Sequence, residues 1–417
     1  MVYRCPGCKK EYDHIGLCDC GSPLLVEEEL GEVRFKGKGL WRYEDLLPVK
    51  KKVSLNEGGT PLIYADELGL YLKDETRNPT GSFRDRAAAA VLSHCNKKRL
   101  ACGSNGNLGA SIAAYASFTG KETYLFVPEY VDRGKLLQTM MYNAKIIRIG
   151  KTSDDLLEPV QEACRLNNFY DASEYNPFVI EGQKTMAFEI FEEGEFDNII
   201  VPVGNGGTIF SVYRGFSQLL ELGYIDKIPH LIGVQSENCA PFIDKKAEKK
   251  RTEALAIYVK KPLFKDLAVE AVKESGGRFL KVSEEEIHTA QKMLARHGVF
   301  CEPASATTVS AGVAHDLQGK TLCLITGSGL KSFDIKKDRF GVANTKVELL
   351  RLLREKESYG YQLWKDLNKE MKIQAVYQHL KELQEKRMIT SMKKGRKVYY
   401  NITEKGKRFL EVYKEVL

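Results

Sequence analysis

No stretch of about 18 uncharged apolar residues occurs in this 417-residue chain, so no membrane-spanning helix is expected. The opening Met1-Val2-Tyr3-Arg4-Cys5 lacks the apolar core of a secretion signal, and the expectation is a soluble, cytoplasmic protein. Internal repeats and low-complexity tracts are also missing. Excess positive charge is absent from the first 343 residues, where 45 of the 63 Lys and Arg face 46 of the 56 Asp and Glu. The whole basic excess sits in the last 74 residues, with 18 basic against 10 acidic side chains, which points to a separate module with an anionic partner. The length suits two or three domains, and 43% hydrophobic residues can bury a large core.

Four of the ten cysteines fall in the first twenty residues, as Cys5-Pro6-Gly7-Cys8 and Cys18-Asp19-Cys20-Gly21. Two such knuckles suit one tetrahedral zinc held by four thiolates, and residues 1–30 are too few to fold without it. His14 is a possible substitute ligand, but reads better as a solvated loop residue. The remaining six cysteines have apolar neighbours and read as buried small hydrophobes.

From about 31 to 340 short apolar runs alternate with helical patterns. Asn198–Val203 and Thr321–Thr326 read as buried strands, Ala101–Gly120 as a loop entering an Ala-rich helix, and Glu286–His297 as an amphipathic helix. Strand, glycine turn and helix in repetition predict an α/β fold with mostly parallel sheets, whose ligands sit at the carboxyl ends of strands. The glycines of Gly204-Asn205-Gly206-Gly207-Thr208 follow such a strand, and their backbone N–H groups can close around a phosphate.

A linker is expected around Lys336–Asn344, and residues 344–417 then change character. Helical stretches at Lys346–Arg354, Tyr361–Leu367 and Ala375–Leu383 precede two strands, Met388–Met392 and Val398–Ile402, joined by the basic tip Lys393-Lys394-Gly395-Arg396-Lys397. Three helices and a basic hairpin predict a winged helix-turn-helix, with Gly360 in the turn between helices. The outer face of the third helix, Gln374, Tyr377, Gln378 and Lys381, is the candidate base reader, and Lys393, Lys394, Arg396 and Lys397 are candidate phosphate contacts. A last helix from Glu404, with Phe409, Leu410, Val412 and Val416, could form a homodimer contact or pack on its own domain.

Seven segments in order resemble the threonine synthase family. They are Leu55–Leu62, Asn78–Arg86, Ser104–Asn107, Glu181–Thr185, Val203–Thr208, Glu302–Ala306 and Thr326–Lys331. The resemblance implies a tryptophan-synthase-β-like, fold-type II pyridoxal-phosphate core of two subdomains. It also implies that Gly204–Thr208 takes the cofactor phosphate, that Asn107 meets its phenolic oxygen, and that Thr326, or Ser328 nearby, meets its ring nitrogen. Ser104, Asn105 and Gly106 would belong to the ligand pocket. The C-terminal module resembles winged-helix regulators of the PadR kind, through Tyr359–Leu363 and Ala375–Leu380.

Three positions depart from the threonine synthase pattern. Arg84 stands where the family has the lysine that holds the cofactor as a Schiff base. A guanidinium stays protonated and cannot take that role. Lys184 and Lys331 occupy places where the family also has lysine, so neither reads as a replacement. Leu108 replaces a threonine, and Val179 replaces an arginine that would grip a substrate phosphate, while Glu174 would repel one. Arg84 is expected to pair either with an anionic ligand or with a nearby carboxylate. Together these readings favour a regulator that has lost threonine synthase activity. It would sense an amino acid or non-covalent pyridoxal phosphate in the former active site, with ligand binding altering domain closure or dimer geometry on DNA. The alternative is an active pyridoxal-phosphate lyase that carries a regulatory module.

Overall fold

Two mostly parallel sheets, each covered by helices, hold the larger part of the chain in a computed structural model. The structure describes all residues except 28–29, 105, 129–132, 245–249, 316, 333–343, 368–371, 396, 408–409 and 411–417, and only the backbone of 133–135, 153 and 344. Most of the expected linker, Asn105, Arg396, Phe409, Val412 and Val416 therefore lie outside the described residues. The chain divides into two units, Met1–Phe333 and Asp334–Leu417.

In the first unit the six-stranded sheet runs Arg278–Val282, His230–Ser236, Asn198–Pro202, Thr321–Ile325, Leu70–Asp74, Leu62–Ala65. All neighbours are parallel except the last pair. The central strands are buried on both faces, as continuous runs such as Asn198-Ile-Ile-Val-Pro202 require. The second sheet has four parallel strands, ordered Lys145–Arg148, Glu122–Val127, Arg99–Gly103, Tyr170–Asp171. Ala101–Gly103, expected as loop, thus ends a strand, and the helix begins at Asn107.

One ion cluster fixes the helices behind the sheets. The guanidinium of Arg86, fully buried on the helix Arg84–His94, donates to Glu75 at 2.7 and 2.8 Å and to Glu189 at 2.7 and 2.7 Å. Lys73, also fully buried, adds ion pairs of 3.1 Å to Glu189 and 2.6 Å to Glu193. Burial opposes ionisation of Glu189, but the charges of Arg86 and Lys73 outweigh it and hold the carboxyl at about 2. Gly59 N–H also donates to Glu189, and Thr60 Oγ1 to Glu75, which ties the Glu57–Pro61 turn to the cluster. Gly58 has φ +80°, and a Cβ there would stand 2.7 Å from Glu189 Oε1.

The cysteine-rich segment makes a small antiparallel sheet, ordered Glu11–Tyr12, Tyr3–Arg4, Leu25–Val26. It is docked on the core. Tyr3 meets Phe178 edge-on with ring centroids 6.5 Å apart, and Arg214 bridges the Val26 carbonyl to Glu181 with bonds of 2.8 and 2.8 Å.

In the second unit, helices Asn344–Glu355, Gly360–Asp366 and Ile373–Glu385 pack with a sheet ordered Ser358–Tyr359, Lys397–Ile402, Ile389–Lys394. The short strand Ser358–Tyr359 was not expected; two residues carry too little alternation to register as a strand. Val376, Leu380 and Leu383 face the core as expected. Gly360 opens the second helix and forms no turn between helices. A Cβ there would collide with the Tyr377 ring, so close approach is what requires glycine. Leu410 packs in this unit's own core, so it is not available to a second copy.

Candidate functional site

The helix Arg84–His94 starts from the turn Asn78–Phe83, which Asp85 stabilises by accepting Thr80 N–H and Thr80 Oγ1, both at 2.7 Å. This places Arg84 on the wall of a cavity of about 390 Å³, with Ser104, Gly106, Asn107, Leu108, Glu174, Gly204, Asn205, Gly206, Thr208 and Thr326 also in the lining. Residues from all the distant motifs except Glu181–Thr185 and Leu55–Leu62 thus meet in one space. The cavity lies at the carboxyl ends of Arg99–Gly103, Asn198–Pro202 and Thr321–Ile325, as the strand pattern predicts.

Arg84 Nη2 bonds Glu174 Oε1 at 2.6 Å, and its guanidinium carbon lies 4.7 Å from the centre of the Phe83 ring. Of the two partners expected for Arg84, the structure gives the carboxylate. Glu174 Oε2 accepts from Asn205 Nδ2 at 3.0 Å, while Asn205 Oδ1 accepts the Leu263 N–H at 2.5 Å. Both ends of the Asn205 amide are therefore committed. Arg84 Nη1 is buried with no hydrogen-bond partner.

The glycine turn is built as a cradle. Gly206 has φ +92°, and a Cβ on Gly204 would stand 2.9 Å from Ile257 Cα. The helix Gly207–Glu221 follows directly. Gly207 is outside the lining; a Cβ there would contact Phe264 and Ile180. Asn107 Nδ2 donates to Glu302 Oε1 at 2.9 Å, and the hydroxyls of Thr326 and Ser305 are 3.0 Å apart. Ser104 Oγ accepts from the Gly106 and Gly109 N–H groups and shapes the turn into the helix Asn107–Phe118. Ser328, the alternative to Thr326, is not in the lining.

Val179 is a correction. It lies in the first turn of the helix Pro177–Glu193, fully buried in the hydrophobic core, and does not line the cavity. Its motif position identifies a helix but not which face is presented. Of the two lysines weighed as replacements, Lys184 is buried away from the cavity in an ion pair with Glu181, as Lys73 is with Glu193. Lys331 is in the lining. Burial lowers its pKa, and its ammonium donates to the Thr80 carbonyl at 2.8 Å. No motif marks the wall from Leu255 to Leu263, nor Asp154, as lining; Glu302 opens a motif that carried no role for it.

In the small antiparallel sheet, the sulfurs of Cys5, Cys8, Cys18 and Cys20 lie within 4.8 Å of one another. A zinc–sulfur bond of about 2.3 Å needs sulfurs roughly 3.8 Å apart, so the cluster fits the ion. The N–H groups of Cys8 and Cys20 approach the sulfurs of Cys5 and Cys18. Gly21 takes a left-handed conformation after the second knuckle, and Lys9, with φ 64°, takes it after the first. His14 pairs with Asp13 and is not in the cluster. Full-length protein is expected to hold one zinc per chain by atomic absorption, and Cys8→Ser to lose it; zinc retained by that variant would remove the four-thiolate assignment.

The pyridoxal-phosphate dependent enzyme model matches residues 53–327, about two thirds of the chain. The chain belongs to the pyridoxal-phosphate dependent enzyme family. Within it, the chain is 38% identical to the threonine synthase of Methanocaldococcus jannaschii over 80% of this chain and 94% of that one. It is 40% identical to the threonine synthase of Mycobacterium tuberculosis (strain ATCC 25618 / H37Rv) over 70% and 88%. The fold matches the structure of maize serine racemase with a TM-score of 0.56 at 19% identity, over 66% of this chain and 89% of that one. Residues 349–412 match the PadR-like transcriptional regulator family. The chain thus joins a fold-type II pyridoxal-phosphate domain to a PadR-like domain. At position 84 the cavity does not fit the cofactor as a covalently held group. The cradle suits a phosphate, but position 84 offers no amine, and the Glu174 carboxylate sits on the cradle's Asn205.

Proposed function

We propose that this protein is a DNA-binding transcriptional regulator whose former active site binds an amino acid, or pyridoxal phosphate without a covalent bond, and performs no threonine synthase reaction. The observation that carries this reading is Arg84, paired with Glu174 on the cavity wall, in a chain that also contains a PadR-like domain. Gln374, Tyr377, Gln378 and Lys381 share the exposed face of the helix Ile373–Glu385, from which they would meet base edges. Gln378 bonds Glu382 at 3.0 Å and would exchange that partner for a base. The exposed Lys393, Lys394 and Lys397 flank the hairpin tip, with Lys394 2.8 Å from Glu357 and Lys397 4.1 Å from the centre of the Tyr359 ring. Two such modules in a homodimer would read paired half-sites.

DNA selected by the full chain should bind with a steep salt dependence. Replacing Lys393, Lys394 and Lys397 together by Ala should lower the log–log salt slope by about 2–3 and weaken all sequences alike. Gln378→Ala should instead relax sequence preference. Titrating labelled DNA by fluorescence anisotropy at several salt concentrations tests both. A salt slope unchanged in the triple variant would remove the hairpin from the interface.

A second reading, an active lyase, draws on Lys331, the buried cavity amine whose ordinary charge is disfavoured by burial. Its commitment to the Thr80 carbonyl speaks against it. Borohydride reduction after incubation with the cofactor distinguishes the two, through a covalent adduct on Lys331 or its absence.

A further inference from the structure

The described lining of the cavity is balanced in charge. Asp154, Glu174 and Glu302 face Arg84, Lys261 and Lys331. A phosphate dianion entering such a site leaves two charges uncompensated, whereas a zwitterion leaves none. The imbalance would be most acute at the cradle, because the Glu174 carboxylate is hydrogen-bonded to Asn205 of the cradle itself. Glu174 is also fixed: Arg84 holds one oxygen at 2.6 Å and Asn205 the other at 3.0 Å, so it has no free swing away from an incoming anion. Arg84 carries an independent signal. Its Nη1 is buried without a partner, a costly state for a charged donor that a shift of the guanidinium toward a ligand in the cavity would relieve.

We propose that the cavity takes a small zwitterionic amine, an α-amino acid without a phosphate group. Its ammonium is received by Glu174 and its carboxylate by the Arg84 guanidinium, and Glu174 turns phosphate-bearing ligands away from the Gly204–Thr208 cradle. This rests on the sensing reading above and narrows its ligand. Arg84 and Glu174 then form one recognition unit. The arginine at position 84 supplies a charge where a lysine would supply a nucleophile, and the carboxylate supplies both the partner for that charge and the selectivity against phosphate.

The test uses the full chain in equilibrium dialysis against the twenty L-amino acids singly, pyridoxal 5′-phosphate and pyridoxal, the last lacking only the phosphate. The wild type should bind at least one amino acid saturably. Glu174→Gln, which keeps the shape and removes the charge, should weaken that amino acid about tenfold or more and tighten pyridoxal 5′-phosphate by a similar factor, leaving pyridoxal unchanged. Arg84→Gln should abolish amino-acid binding, and circular dichroism with thermal melting shows whether each variant is folded. If no amino acid binds the wild type, or if Glu174→Gln leaves pyridoxal 5′-phosphate no tighter relative to pyridoxal, the proposal is overturned. Anisotropy with DNA separates it from the regulatory reading. A pocket that behaves as stated in a chain that does not bind DNA supports the ligand assignment and removes the regulator, and the reverse result does the opposite.

Discussion

Incubated with pyridoxal phosphate and reduced with borohydride, Arg84→Lys is expected to carry the cofactor covalently on residue 84, and the wild-type chain to carry none there. The helix start that positions residue 84 is set by Asp85 and Thr80, which the substitution does not touch. A lysine at 84 would still face Glu174, which would hold the amine as an ammonium and oppose the cofactor phosphate at Asn205. Labelling should therefore rise further when Glu174→Gln is added to Arg84→Lys. Peptide mapping of the reduced protein reads all three results. An unlabelled double variant would mean that the rest of the site no longer accepts the cofactor, and a wild-type adduct on Lys331 would bring the lyase reading forward.

The second large effect is on stability. Replacing Arg86 by Met removes the shared partner of Glu75 and Glu189 and leaves two buried carboxylates facing each other. Loss of roughly 3–5 kcal/mol is expected, a large share of the stability of a typical domain. The same cluster sets an acid limit. Glu189 is held at about 2 against an ordinary 4.5, so its contribution is complete above about pH 4.5 and is lost as the pH falls from there towards 2. Urea melts of the wild type at pH 6, 4 and 3 should show the midpoint falling through this window. A midpoint that holds to pH 3 would place the stabilisation elsewhere.

The parts of the fold and site that were legible in the sequence are the parts written in contiguous residues. The cysteine knuckles, the glycine cradle, the strand Asn198–Pro202 and the three helices of the C-terminal module each carry their pattern within a few positions. Arg84 was legible because a motif surrounded it. Glu174 was read as hostile to phosphate, but its bond to Arg84 joins positions 90 residues apart and no local pattern records it. The Leu255–Leu263 wall has no motif, and its role follows from Gly204 backing onto Ile257. Val179 failed for a simpler reason: motif spacing locates a residue on a helix, while the buried face is chosen by what packs there, here the core around Phe178. Gly360 failed likewise, since a glycine that admits a neighbouring ring looks the same in sequence as one that makes a turn.

Arg84 and Arg86 are two residues apart on one helix and turn to opposite sides, one to the cavity and one to the buried ion cluster. Arg86 has four hydrogen bonds to two buried carboxylates, whereas Arg84 has one ion pair on the cavity wall. Substitutions at 84 are therefore expected to cost less stability than substitutions at 86. One helix thus separates the residue that shapes the site from the residue that keeps the fold, so the site can change while the shape is kept.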